Sequence, residues 1–219
     1  MTHGNWLELI DGTQYWLNAE RNDPDALRFE MSVADLARQL SQINRFNGAT
    51  RLPYSVAQHS VWVSLMLDLD AEWALYGLLH DAHEVIVSDI ARPVKLEMRE
   101  RGASAALDAL VKEADARIFG AFGLAYPLPP RIAAIVGHAD DVALATERRD
   151  LMAGTAPWSH LPAAHPSSIV PLPADEVAKQ FVGRFNNLMA RFRPDEAPAA
   201  GAGSISDVID ILIPKGAKS

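Results

Sequence analysis

The chain predicts an all-α fold, a helical bundle of about six helices with a small N-terminal β-hairpin. Apolar residues recur at helical spacing in most long stretches, and Ser or Asp stands at the head of several of them, where a helix needs a cap. Only residues 6–17 read differently: an Asp11-Gly12 turn joins two short apolar and aromatic runs, the strongest short hairpin signal. With 219 residues, 49% of them hydrophobic, there is material for one core and no demand for a second. Residues 1–193 are therefore expected to form one domain, and the Pro-, Ala- and Gly-rich residues 194–219 a flexible tail.

Residues 18–30 are polar and hold Pro24, so they read as a loop. Ser32 with Asp35 forms a capping box, and Val33, Leu36, Leu40 and Ile43 follow at helical spacing, which predicts a first helix over 33–43. A loop with Arg45, Phe46, Gly48 and Arg51 comes next. A second helix over 55–69 places His59 on one stripe with Trp62, Val63 and Met66. Asp70 caps a third, which carries Leu75, Leu78, Leu79 and Ala82. Continued helical spacing would group His80, His83 and Glu84 and turn Asp81 about a quarter-turn away.

Pro93 argues against that helix reaching Lys95. Ser104 is the expected cap of a fourth helix carrying Leu107, Leu110, Val111, Ala114 and Ile118. Pro127, Pro129 and Pro130 break the chain before a fifth helix over 131–153. There the apolar stripe Ile132, Val136, Ala139 and Ala143 has Asp140 beside it, while Asp141 shares a face with Ala134, His138, Ala145 and Arg148. Periodicity thus selects Asp140 as the inward carboxylate. The proline-rich residues 154–173 read as an irregular loop. A sixth helix over 174–192 is marked by Val177, Phe181, Phe185, Leu188 and Phe192, and residues 205–213 could dock locally.

Composition excludes several classes. There is no cysteine, so neither disulfides nor thiolate ligands are available, and a tightly held metal must use His, Asp and Glu. The start of the chain lacks the basic region and apolar run of a signal peptide, and no apolar stretch approaches the ~20 residues of a membrane span; a cytoplasmic protein is expected. A net charge of -8 argues against a stable nucleic-acid complex, whose affinity comes from neutralising phosphates. A small phosphorylated ligand remains compatible, because a few local cations can reverse the field inside one cleft.

Residues 54–95 concentrate the chemistry. His59, His80, Asp81 and Asp140 fall on or beside core-facing stripes of three helices, where unpaired polar groups cost on the order of 1 kcal/mol or more each. A shared divalent metal removes that cost. No His-Glu-x-x-His occurs, and His80-Asp81-Ala82-His83-Glu84 does not match its inverted form, so a zinc peptidase is disfavoured. No Gly-x4-Gly-Lys-Ser/Thr loop supports ATP-driven chemistry.

A His on one helix, an adjacent His-Asp on the next and a distant Asp, here His59, His80-Asp81 and Asp140, resemble the HD-domain phosphohydrolases. The likeness is nearest to the bacterial and phage branch of 5'-deoxynucleotidases and deoxynucleoside triphosphate hydrolases. Arg45-Phe46 ahead of the first His, the segment Tyr54-Ser-Val-Ala-Gln-His59, then Glu84, Asp89 and Pro93-Val94-Lys95 match that branch, and the likeness spans about residues 33 to 150. Phe46 stands where the best-known deoxynucleotidases have Trp, so base and sugar selectivity do not carry over.

The resemblance implies an HD-domain bundle with His59, His80, Asp81 and Asp140 on a divalent metal (Mn, Co, Zn, Fe or Mg), and the cleavage of a phosphate ester or anhydride of a (deoxy)nucleotide. Glu84 and Asp89 would then handle protons, and Arg45, Phe46 and Lys95 would contact substrate. Read from residue type alone, Glu84 can instead orient His80 or His83, Asp89 can cap a turn, and Lys95 and Arg92 can be solvated cations. The expected partners are a nucleotide and further copies of the chain, a dimer or higher homo-oligomer, with no membrane. Two other classes stay open: a catalytically silent nucleotide sensor on the same fold, and a metal-stabilised structural protein.

Overall fold

Two helices form the centre of the computed structural model, which describes residues 5–17, 29–154, 156, 158 and 160–192. They are α2 (Val56–Met66) and α3 (Ala71–Leu79), and both are buried on nearly every face. Helix α2 buries Val56, Ala57, Val61, Val63 and Met66, and α3 buries every residue from Trp73 to Leu79. Gly77 permits their close approach. A Cβ there would lie 2.8 Å from Leu67 Cδ1 and 3.3 Å from Val63 Cγ1.

Around this pair pack α1 (Val33–Leu40), α7 (Pro130–Leu151) and α8 (Ala174–Arg191). Helix α8 inserts Val177, Phe181, Phe185 and Leu188, the predicted stripe, into the core. Helix α6 (Ala105–Ala121) buries Ala114, Ile118 and Phe119. The hairpin pairs β1 (Trp6–Glu8) with β2 (Gln14–Trp16), antiparallel, with Leu7 opposite Tyr15. Its loop carries Gly12 at φ 84°, the left-handed position the predicted Asp11-Gly12 turn requires. Leu9 and Tyr15 seat the hairpin in the core, and the Arg117 guanidinium lies over the Tyr15 ring at 4.8 Å.

The caps of α1 and α3 act as the sequence implies, and Ser55, read as the first residue of the second helix, caps α2. The Ser32 hydroxyl accepts from the Asp35 N–H at 3.2 Å, Ser55 caps Gln58, and Asp70 accepts from Glu72 and Trp73. Ser104 does not: it heads α6, but its side chain makes no cap hydrogen bond, and its own backbone is already helical. Helix α1 ends at Leu40 rather than at 43, because the Ile43 carbonyl accepts from Val56 N–H and Asn44 bridges Ser55.

The third helix also stops early, at Leu79, and residues 80–83 continue as turns. Two short helices not expected from the sequence follow, α4 (Glu84–Val87) and α5 (Arg92–Glu100). Pro93 does not end a helix here. It sits in the first turn of α5, where its missing N–H has no partner to lose. The predicted loop at 18–28 and the tail at 194–219, including residues 205–213, lie outside the described residues. Among the described residues no helix is long and apolar enough to cross a membrane.

Candidate metal centre and adjoining cleft

Three elements aim side chains at one point. His59 enters from the middle of α2 and is fully buried, His80 and Asp81 come from the turn after α3, and Asp140 comes from α7. The His59 and His80 Nε2 atoms are 3.3 Å apart. Asp140 Oδ1 lies 3.2 Å from His59 Nε2, and Asp81 Oδ2 lies 3.5 Å from His59 Nε2 and 3.2 Å from His80 Nε2. The end of α3 at Leu79 is what brings Asp81 in. Continued helix would have turned it aside, and the turn lets it share the site with His80. Phe46 and Lys95 line the adjoining cleft instead.

Each imidazole is tied back through its other nitrogen. His59 Nδ1 donates to Glu147 Oε1 at 2.6 Å, and His80 Nδ1 donates to the Gly77 carbonyl at 2.8 Å. Because a carbonyl and a carboxylate only accept, Nδ1 is the donor in each ring, and Nε2, the nitrogen left for a ligand, faces inward. This is how metal-binding histidines are oriented. His59, His80 and Asp140 form a group that can hold a metal ion, with donor atoms within 4.8 Å of one another, and Asp81 adjoins it. The nitrogen and oxygen donors suit several divalent ions.

The electrostatics favour a cation at this point. Burial opposes a charged imidazole, yet Asp81 and Asp140 outweigh it and push His80 up to about 9. His59 is raised as well: burial and Arg45 oppose its charge, and Glu147 and Asp140 prevail. Burial works against the carboxylates too. Hydrogen bonding and charge from His59, with help from His80, still bring Asp140 down to about 2, and His80, His59 and Arg45 hold Asp81 well below its ordinary range.

Glu147 is the buried acid at this site that the sequence reading does not single out. It is fully buried, and its Oε2 accepts from Arg45 Nη2 at 3.1 Å while Oε1 holds His59. The Arg45 charge lowers it against the desolvation cost. The signal was present: the α7 stripe through Ala139 and Ala143 continues onto Glu147, and an acid on an apolar stripe calls for a partner. Arg45 is itself buried and also reaches Asp81, at 3.4 Å.

A cleft of about 580 Å³ opens from this centre. It is lined by charged side chains, Asp81, Asp140, Glu84, Asp89, Arg92 and Lys95, together with apolar ones that include Leu144, Met152 and Leu161. Phe46 and Trp158 stand together in its wall, ring centroids 5.9 Å apart. Phe46 adopts φ 55° and Asn47 φ 52°, and Asp89 Oδ2 accepts from the Phe46 N–H at 3.2 Å, fastening the turn. Arg92 pairs with Asp140 at 3.1 Å and Asp141 at 2.8 Å. Asp141, read as solvated, is half-exposed and held by that arginine. Glu84 is 2% exposed, and burial, then Asp81 and Asp89, raise its carboxyl well above its usual range.

Fold and site together define a mainly helical protein with a His/Asp group, its His59 fully buried, that can hold a metal beside an open cleft. The chain is 34% identical over 189 residues to YfdR, an uncharacterized protein of Escherichia coli K12, covering 84% of this chain and 96% of that one. It is also 31% identical over 162 residues to an uncharacterized protein of Rhodobacter capsulatus, covering 69% of this chain and 71% of the relative. The chain belongs to the family of YfdR. No family model matches it.

Proposed function

We propose that the protein is a metal-dependent phosphohydrolase of the HD-domain type acting on (deoxy)nucleotides, releasing phosphate from a 5'-monophosphate or triphosphate from a triphosphate. The observation that carries this reading is the inward Nε2 pair of His59 and His80, facing Asp81 and Asp140, which line the cleft. The resemblance in sequence points the same way.

A divalent ion held by His59, His80, Asp81 and Asp140 would supply Lewis acidity toward a phosphoryl oxygen and lower the pKa of an attacking water. Glu147 and the Gly77 carbonyl hold the two imidazoles in the ligating tautomer. Glu84 and Asp89 line the cleft beside that centre and carry the proton between water and leaving oxygen. Lys95 and Arg92 face the same space and neutralise the charge that accumulates on phosphate oxygens, with Arg45 behind them fixing Asp81. Phe46 and Trp158, together in the cleft wall, offer aromatic surface to a base.

The test is a panel of deoxy- and ribonucleoside mono- and triphosphates, run with Mn2+ or Co2+ and with product identification. Release of phosphate or triphosphate that disappears in a His80→Ala, Asp81→Ala variant supports the proposal. No release from any nucleotide, or equal release from the variant, ends it. In a sensor on the same fold, nucleotide raises the melting temperature without turnover.

A further inference from the structure

Beside the centre described above lies a second group of side chains able to ligate a metal, two of which, His83 and Glu84, the proposed chemistry does not require as ligands. Asp81, His83 and Glu84 each offer a donor atom, and the three atoms lie within 4.8 Å of one another. All three come from the turn between α3 and the start of α4, so the backbone itself fixes their spacing. His83 and Glu84 are 7% and 2% exposed.

Two observations on single side chains point to a cation here. Glu84 Oε2 is buried and has no hydrogen-bond partner, an arrangement that costs free energy unless something positive meets it. His83 Nδ1 is 3.0 Å from Asp115 Oδ1 on α6. The carboxylate accepts, so Nδ1 is the donor of that bond and Nε2 is the ring nitrogen left for a ligand. His59 is oriented in the same way by Glu147, through the same ring atom.

We infer that Asp81, His83 and Glu84 form a second divalent-cation site, with Asp81 standing between it and the His59, His80 and Asp140 group. The inference rests on the metal-centre reading of that first group but not on any particular substrate. Two ions sharing one aspartate lie about 3.5–4 Å apart, the spacing at which a phosphoryl group is clamped from two sides. Because Asp81 and Glu84 line the cleft, the second ion would face it too. Its donors, one imidazole and two carboxylates, suit Mn2+, Fe2+ or Zn2+. The other Glu84 oxygen remains for the proton transfer proposed above.

Glu84 has one competing description, a neutral carboxylic acid that never meets a metal. Substitution by glutamine separates the two, since an amide imitates the neutral acid but is a poor ligand. The full-length protein is freed of metal and equilibrated with Mn2+. Bound Mn2+ per chain is then measured, together with the electron paramagnetic resonance spectrum. The expected result is two ions per chain with the spectrum of an exchange-coupled pair. Glu84→Gln and His83→Gln, each checked for native helix content, are expected to bind one ion and to show an isolated Mn2+ signal. One ion in the unaltered protein, or two in Glu84→Gln, overturns the second site and leaves the first centre standing. No bound ion overturns both.

Discussion

Glu147 accepts a 2.6 Å hydrogen bond from His59 Nδ1 and, through its other oxygen, a 3.1 Å bond from Arg45, and all three side chains are buried. One carboxylate therefore both orients an imidazole of the candidate metal centre and neutralises an enclosed guanidinium. Glu147→Gln keeps the shape but removes the charge that holds the His59 proton in place. Metal affinity is expected to fall about 10–100-fold. Glu147→Ala leaves two buried partners short and should destabilise the fold by about 3 kcal/mol or more. Mn2+ titration and chemical denaturation of both variants check this, and an unchanged affinity in Glu147→Gln would remove its orienting role.

Metal should also hold the fold together. With free metal about 100-fold above its dissociation constant, binding adds ~2.7 kcal/mol to stability. In a chain of this size, that is roughly 5–10 °C in melting temperature. A chelator is expected to lower the transition by that amount, and the shift should vanish in His80→Ala, whose ligand is missing. A chelator with no effect on the native protein would argue that the histidine pair is a satisfied core feature.

Trp158 was not among the residues read as a site, yet it faces Phe46 in the cleft wall. If a base stacks there, Trp158→Ala removes about 1–3 kcal/mol of contact. The expected outcome is a KM for nucleotides raised about five-fold or more, and a matching fall in preference for nucleotides over a phosphate ester lacking a base. Equal losses on both substrates would show that Trp158 only shapes the loop.

Asp68 ties the end of α2 to α8 through Arg191 at 2.8 Å and Arg184 at 2.9 Å. Its burial raises the carboxyl, but the two arginines outweigh this and lower it. A depressed carboxylate contributes stability above its unfolded pKa of about 4, and that contribution is lost as pH falls through the folded value. Because Asp68 is half-exposed, less than about 1 kcal/mol is at stake. The melting temperature of Asp68→Asn should lie slightly below that of the parent at pH 7 and converge with it below pH 4.

Helical periodicity was enough to bring His59, His80 and Asp140 onto inward faces, because each sits in or beside a regular apolar stripe. It failed for Asp81, since nothing in Leu79-His80-Asp81-Ala82 announces that the helix ends there. Glu147 was overlooked as one polar residue near the end of a long helix, although it continued the stripe. Helix α5 was missed because a proline is compatible with a helix's first turn as well as with its end, and only packing chooses. Trp158 lies in a proline-rich loop with no period, so nothing local could connect it to Phe46. The hairpin was legible because its turn demands one particular residue, Gly12, at a positive φ.

The consecutive left-handed residues Phe46 and Asn47 set stability against performance. A bulky side chain in that conformation costs on the order of 1 kcal/mol, which glycine would not incur. Selection for thermal robustness alone would favour glycine at 46, and the chain would thereby lose one face of its aromatic wall and the ring beneath Arg45. Screening a library of this turn for heat resistance and for turnover should therefore enrich different residues at the same position.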